Sequence, residues 1–117
     1  MMNNHNHTLD MRACIAACTE CHNTCLALIP HCLAMGGDHA SLDHQRVLMD
    51  CAEACQMSAN FMLRQSQMHS RTCAVCAEAC ERCANDCERL ANGDAMMLAC
   101  AEVCRRCASE CRNMAAM

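Results

Sequence analysis

Apolar and polar residues alternate along this chain with the period of an α-helix. Cysteine, methionine and leucine return every three or four residues, and alanine, glutamate and arginine, which are good helix formers, fill many of the positions between them. In the stretch CAVCAEACERCANDC at 73–87, successive cysteines are three, four, three and four residues apart. Residues with this spacing lie on one face of a helix, whereas a strand would need alternation by two.

Turn-forming residues divide this pattern into four segments. GGDHAS at 36–41 is the strongest interruption, NGD at 92–94 is the second, and QMHSRT at 67–72 is a weaker third. Because the connections are short, we expect an all-α fold in which residues 1–117 form a single domain, an up-down-up-down four-helix bundle. The predicted helices lie at about 8–35, 41–68, 71–91 and 94–114.

All sixteen cysteines fall on the helical stripes. The seam of a bundle takes roughly two positions in every seven and faces the axis, so scattered cysteines would not all coincide with it. The sequence therefore predicts a cysteine-lined core. On the second helix the seam is expected to run from His44 through Gln65 to His69. The cysteines predicted to be metal ligands are Cys14, Cys18, Cys21, Cys25, Cys32, Cys51, Cys55, Cys73, Cys76, Cys80, Cys83, Cys87, Cys100, Cys104, Cys107 and Cys111.

Composition narrows the class of protein. The 117 residues include 16 cysteines, 12 methionines and one aromatic residue, Phe61, so cysteine must supply much of the interior. A net charge of −4 without a basic block argues against nucleic acid, and no apolar run approaches the roughly 18 residues of a membrane span. A secreted disulfide scaffold would be rich in loops and would follow a signal peptide, which the start MMNNHNHTLDMRAC does not resemble. We expect a cytoplasmic protein with free or metal-bound thiols.

A thiol-lined axis predicts metal binding. One or two seam cysteines would be ordinary core residues, but leucine would fill sixteen such positions better and would not oxidise. Soft thiolate and thioether ligands select Cu(I), zinc or iron–sulfur clusters. Charge favours Cu(I), because about one +1 ion per −1 thiolate leaves a buried column close to neutral, whereas zinc with four thiolates leaves excess negative charge. The sequence thus indicates multiple Cu(I) ions per chain, with a zinc or iron–sulfur protein as the alternative.

An enzyme that uses the same thiols is disfavoured. In thiol redox enzymes the CxxC pair usually stands at the start of a helix in a βα unit. Here the CxxC pairs lie within helices, no strand is predicted, and no catalytic base accompanies a single special thiol. We therefore expect a binding protein.

Methionine and histidine replace cysteine at the ends of the seams. At the end that carries GGDHAS, His31 and Met35 lie four residues apart beside the first seam, and both are candidate ligands that could pass Cu(I) inward. Methionine also fills irregular gaps, so any other single methionine is interpreted as packing. His5, His7 and His22 lie off the seams and are expected to face solvent.

These seams resemble those of the copper storage proteins, a family of cysteine-rich four-helix bundles. The resemblance rests on CxxxCxxCxxxC in the first helix and CxxCxxxCxxCxxxC in the third, and it covers about Met11 to Met114. It implies a homotetramer that stores many Cu(I) ions in each core, with copper ions and copper donor or acceptor proteins as partners. It also implies uptake at an end lined by histidine and methionine, which His31 and Met35 match, and the lack of a signal peptide resembles the cytosolic members. The second helix departs from a fully sulfur-lined pattern at Ser58, Met62 and Gln65.

The outer faces of the first two helices carry a second apolar stripe. An apolar stripe that faces water marks an interface more often than not, so we expect oligomerisation through these helices. The stripe consists of Ile15, Leu26, Ile29 and Leu33 in the first helix and Val47, Ala54, Met57 and Phe61 in the second.

Overall fold

Four helices build the fold. The computed structural model describes residues 2–117, with side chains from Thr8 onward, and this part of the chain contains no strand. Each helix packs against its two neighbours in the ring, which confirms the predicted all-α four-helix bundle. The first helix begins well before the predicted residue 8. The helices are α1 (Met2–Met35), α2 (Leu42–Leu63), α3 (His69–Ala91) and α4 (Ala95–Ala115), and a single 3-10 turn, Gly37–Ala40, connects α1 to α2.

Local hydrogen bonds fix where α2 and α4 begin. Ser41 Oγ accepts a hydrogen bond from the His44 amide at 3.2 Å, and Asp94 Oδ1 accepts one from the Met97 amide at 2.9 Å. Asn92, with φ 45°, adopts the left-handed conformation that ends α3. These two connections therefore lie where the GGDHAS and NGD signals predicted them.

The second helix is shorter than predicted, because it ends at Leu63 and not near residue 68. Gln65 has φ 54°, and the amides of Gln65 and Ser66 donate back to carbonyls of the last turn at 3.0 and 2.9 Å. This is a Schellman ending, in which glycine or asparagine usually takes the left-handed position. Glutamine there gives no turn signal. The prediction that Gln65 and His69 extend the second seam is wrong, since His69 begins α3.

The core is a column of side chains along the bundle axis. The bundle measures 53 × 21 × 18 Å, so only about one side chain from each helix meets the axis at any level. Cysteines fill the middle of the column, and larger buried residues adjoin them towards the two ends: Leu28, Leu48 and Met97 towards the 3-10 turn, and Met62 and Met114 towards the other. None of the helices in the described residues has the length and hydropathy that a membrane span requires.

Candidate metal centre

The four helices bring sixteen thiols to one axis. Seam positions recur every three to four residues, so almost every helical turn contributes one more sulfur to the column. Every cysteine side chain is 0% exposed, and every one is a free thiol. The structure therefore places all the cysteines that the sequence identifies as candidate ligands in a single interior array.

Sulfur atoms from different helices lie close enough together for one metal ion to bridge them. The Sγ atom of Cys21 on α1 lies 3.7 Å from that of Cys51 on α2, 4.0 Å from Cys80 on α3 and 3.6 Å from Cys104 on α4. These gaps are far longer than a disulfide bond of about 2.05 Å. Two metal–thiolate bonds of about 2.3 Å each would span them. The arrangement suits metal ligation by thiols that belong to different helices.

The sulfurs form overlapping groups of four. Within each group the Sγ atoms all lie within 4.8 Å of one another. Many cysteines belong to two groups, as Cys21 and Cys104 do, so an ion in one group would share thiolates with an ion in the next. The column is thus continuous and not a set of isolated sites. Five of the groups are Cys18, Cys76, Cys107 and Cys111; Cys21, Cys25, Cys51 and Cys104; Cys21, Cys51, Cys55 and Cys80; Cys25, Cys83, Cys100 and Cys104; and Cys55, Cys76, Cys80 and Cys107.

Hydrogen bonds between the thiols shift the pKa values of neighbouring cysteines in opposite directions. The hydrogen bond with Cys104 has the largest effect on Cys21 and lowers its pKa. The pKa of Cys104 is raised, first by its hydrogen bond with Cys100, and burial adds to the rise. Neighbouring thiols in a low-dielectric core cannot all ionise together, because the thiolates would repel one another. The copper-free column therefore retains protons that bound cations would displace.

A histidine closes the column near the 3-10 turn. His44 is 0% exposed, its Nε2 lies 3.5 Å from Cys32 Sγ, and its Nδ1 lies 2.8 Å from Asp86 Oδ2. Partial burial raises the pKa of the Asp86 carboxyl, but hydrogen bonds from Arg89 and His44 outweigh this effect and hold the pKa below its usual range. We infer that ionised Asp86 keeps the proton on Nδ1, which leaves the Nε2 lone pair facing Cys32. Burial raises the pKa of the Cys32 thiol to about 11.

The two candidate ligands other than cysteine lie beside the column and not within it. His31 is half-buried, and its Nε2 lies 2.9 and 3.1 Å from the two carboxylate oxygens of Asp94. The pKa of Asp94 is lowered first by the hydrogen bond from the Met97 amide and then by the one from His31. Met35, which was predicted to lie beside the first seam, is 48% exposed. The buried part of that seam ends at Cys32.

Among the histidines outside the seams, His22 differs from its predicted exposure to solvent. His22 was expected to face solvent, but it is half-buried and its Nδ1 lies 2.8 Å from the Ala52 carbonyl oxygen on α2. Its position at the flank of the seam lets the ring reach across to the neighbouring helix, so the prediction for His22 is wrong. The side chains of His5 and His7 lie outside the described residues.

At the opposite end of the column, a serine takes the place of a thiol on α2. Ser58 is 0% exposed and its Oγ lies 3.2 Å from Cys73 Sγ. The Cys73 thiol donates to the Met62 sulfur at 3.7 Å, and Cys14 Sγ lies 3.6 Å from Cys111 Sγ in the same region. This end therefore combines three thiols with a hydroxyl and a thioether.

Sequence reasoning missed the carboxylates that hold the histidines. The sequence pattern indicated that His44 faces the core, because this residue lies on the second seam. Asp86 and Asp94 lie on no seam, so the pattern gave no indication of their role. Asp86 is 42 residues from His44 along the chain, and Asp94 is 63 residues from His31. Only the packing of α2 on α3 and of α1 on α4 brings these pairs together.

A helix bundle whose common axis is lined by soft sulfur ligands belongs to the class of proteins that can hold several soft metal ions at once. A profile of the copper storage proteins matches residues 6–116. The chain belongs to the copper storage protein family, which confirms the resemblance found in the sequence. No curated protein sequence matches the chain significantly.

Solved structures of similar proteins share the whole fold. A protein from Nitrosospira multiformis is 48% identical, with a TM-score of 0.87 over 93% of this chain and 97% of that one. The Cu(I)-bound copper storage protein BsCsp3 is 32% identical, with a TM-score of 0.83 over 91% of this chain and 98% of that one. A cytosolic copper storage protein from Streptomyces lividans, loaded with five coppers, is 29% identical, with a TM-score of 0.88 over 97% and 98% of the two chains.

Proposed function

We propose that the protein stores Cu(I) by binding many ions to the thiolates that line its core. The observation that carries this proposal is the column of sixteen buried free thiols, in which sulfurs from different helices lie about 3.5–4.0 Å apart. Cu(I) is a soft cation that prefers sulfur, and about one ion per thiolate keeps the buried column near neutrality. The Cu(I) bound by BsCsp3 and the five coppers bound by the Streptomyces lividans protein support the same assignment. Copper is cargo here, and the protein acts by binding and not by turnover.

A zinc or iron–sulfur role remains the competing function. The groups of four cysteines have the ligand number of a structural zinc site. Two features favour copper over zinc: neighbouring groups share their cysteines, and a run of tetrathiolate zinc sites would leave uncompensated negative charge in the core.

We further propose that the entrance for copper lies at the end with the 3-10 turn. His31 donates its Nε2 proton to Asp94, which leaves Nδ1 available as a ligand, and a carboxylate in this position orients metal-binding histidines generally. Met35 offers an exposed thioether on the following turn of α1. Both residues would bind Cu(I) weakly, without losing a proton, before it moves to the thiolates.

The remaining proposals concern assembly and location. Leu26 and Leu33, on the outer face of α1, are 45% and 54% exposed, which supports homotetramer formation through the apolar stripe of α1 and α2. A cytoplasmic location fits the free thiols and the cytosolic relative from Streptomyces lividans. In that compartment the store would exchange copper with donor or acceptor proteins and would limit copper toxicity.

An anaerobic titration tests the storage function. Reduced protein is titrated with Cu(I) in competition with a chromophoric chelator, and the metal retained per chain is counted at several pH values. We expect a colourless product with about one Cu(I) per cysteine, and weaker uptake at low pH because each thiol must lose its proton. Saturation near four zinc ions that copper does not displace, or a brown iron-loaded protein, would refute copper storage.

A further inference from the structure

The end of the column opposite the 3-10 turn contains a ligand set unlike the groups of four thiols. Met62 is 1% exposed, and its Sδ atom lies 3.7 Å from the Sγ atom of Cys73. Cys111 and Cys14, whose Sγ atoms lie 3.6 Å apart, neighbour Cys73 at this level of the bundle, where their hydrogen bonding lowers the pKa of Cys73. One thioether and three thiols therefore converge on the same small volume, where α2 supplies no cysteine.

The contact between Cys73 and Met62 marks a position where a metal ion would fit. The thiol of Cys73 donates its proton to Met62, so a sulfur lone pair of Met62 already faces the Cys73 sulfur. A soft cation that replaces this proton meets a thiolate on one side and a neutral thioether on the other. The reaction is balanced, because Cys73–SH and Cu(I) give Cys73–S–Cu and one released proton.

Ser58 fits a supporting role beside this pair. Its Oγ lies 3.2 Å from Cys73 Sγ, close enough for the hydroxyl to donate to a thiolate. A neutral serine hydroxyl is a poor ligand for Cu(I), which prefers soft sulfur donors. Ser58 would therefore stabilise the thiolate of Cys73, while the thioether of Met62 completes the ligand set.

Met62 also separates the thiols from solvent. On its other side it lines a groove of about 560 Å³ at this end of the bundle, together with Met11 of α1 and Leu63 of α2. Leucine would fill the same volume, whereas methionine also places a soft thioether donor 3.7 Å from the Cys73 sulfur. The observed orientation thus favours ligation.

We propose that Met62 is a copper ligand, which with Cys73, Cys14 and Cys111 forms a thioether-containing site that ends the column. This inference rests on the proposed copper storage. The site differs from the rest of the column in that one of its ligands is neutral and needs no deprotonation. It is therefore a place where a neutral thioether would complete the ligand set that thiolates supply.

Methyl NMR of methionine tests the assignment directly. Protein labelled at the methionine methyl groups is loaded anaerobically with Cu(I), and in a parallel sample with silver(I), a soft monovalent ion whose nuclei have spin one-half. We expect the Met62 methyl resonance, assigned by its loss in Met62→Leu, to move on loading and to show scalar coupling to silver. Met57, which lies on the outer face of the same helix, is the internal control and should show neither effect.

A competition assay gives the second readout. Met62→Leu keeps the volume of the side chain but removes the sulfur, and Met57→Leu is the matched control. Against a strong chelator we expect Met62→Leu to retain about one copper ion fewer than the wild type, because a site with one ligand fewer binds more weakly, while Met57→Leu retains the wild-type number. Unchanged melting of both copper-free variants would show that folding is intact.

The outcomes separate the two proposals. A column that fills to normal capacity while the Met62 methyl shows no silver coupling overturns the Met62 site and leaves copper storage standing. Failure of the wild type to take up Cu(I) at all overturns both. Equal copper retention by Met62→Leu and the wild type would also contradict the site.

Discussion

Replacing Cys104 with alanine removes a thiol that the column uses twice. Its Sγ atom lies 3.6 Å from that of Cys21, 3.9 Å from Cys25, 4.0 Å from Cys51 and 3.9 Å from Cys100. It belongs to two of the groups of four, so each of them is left with three sulfurs. We expect the wild type to bind about sixteen Cu(I) ions and the variant about two fewer. One ion is lost because the negative charge of a thiolate is gone, and a second because two neighbouring groups have lost the ligand that they shared.

The same change should leave the fold intact. Loss of one buried sulfur atom is comparable to loss of a methylene group, which costs about 0.8 kcal/mol. A domain is typically stable by about 5–15 kcal/mol, so Cys104→Ala remains folded when it is copper-free. Circular dichroism checks the fold, and native mass spectrometry after anaerobic loading counts the ions directly.

Cys32→Ala is the matched control. It also removes one fully buried thiol, but the nearest described partner of Cys32 is His44 Nε2 at 3.5 Å, and Cys32 is in none of the five groups given above. We expect this variant to bind about one Cu(I) ion fewer, because it has lost the negative charge of one thiolate. Equal losses in the two variants would refute the reasoning from shared thiols, and unchanged capacity in both would refute thiolate ligation.

Three further predictions concern the ends and the outer surface. His31→Leu with Met35→Leu should slow copper loading in stopped-flow absorbance without lowering capacity, since the thiols remain, and an unaltered rate would argue against uptake at this end. Asp86→Asn should destabilise the copper-free protein by about 1–2 kcal/mol at neutral pH, measured by thermal unfolding. Because the folded-state pKa of Asp86 is lowered, its contribution is present above the usual aspartate range and lost as the pH falls through that lowered pKa, and a difference that persists in acid would contradict this. Charged residues at Leu26 and Phe61 should give monomers in light scattering, whereas a wild type that is already monomeric would exclude this interface.

Most of the fold was predictable because its signals are local. Helical periodicity follows from backbone geometry, so the spacing of Cys73 to Cys87 defines a helix face without knowledge of any partner. Ser41 and Asp94 cap α2 and α4 near the predicted boundaries. The end of α2 was missed, since Gln65 adopts a left-handed conformation that its residue type does not announce.

The sequence by itself determined that the core would be a column of sixteen thiols, and therefore that the protein would bind soft metal ions. This follows from residue type and spacing, which need only one helix at a time. Tertiary structure alone decided which sulfurs meet, such as Cys21 with Cys104, and which carboxylate orients which histidine, as Asp86 does for His44. The physical reason is that these contacts depend on the relative height and rotation of packed helices, and the three-four pattern of a single chain segment does not encode either quantity.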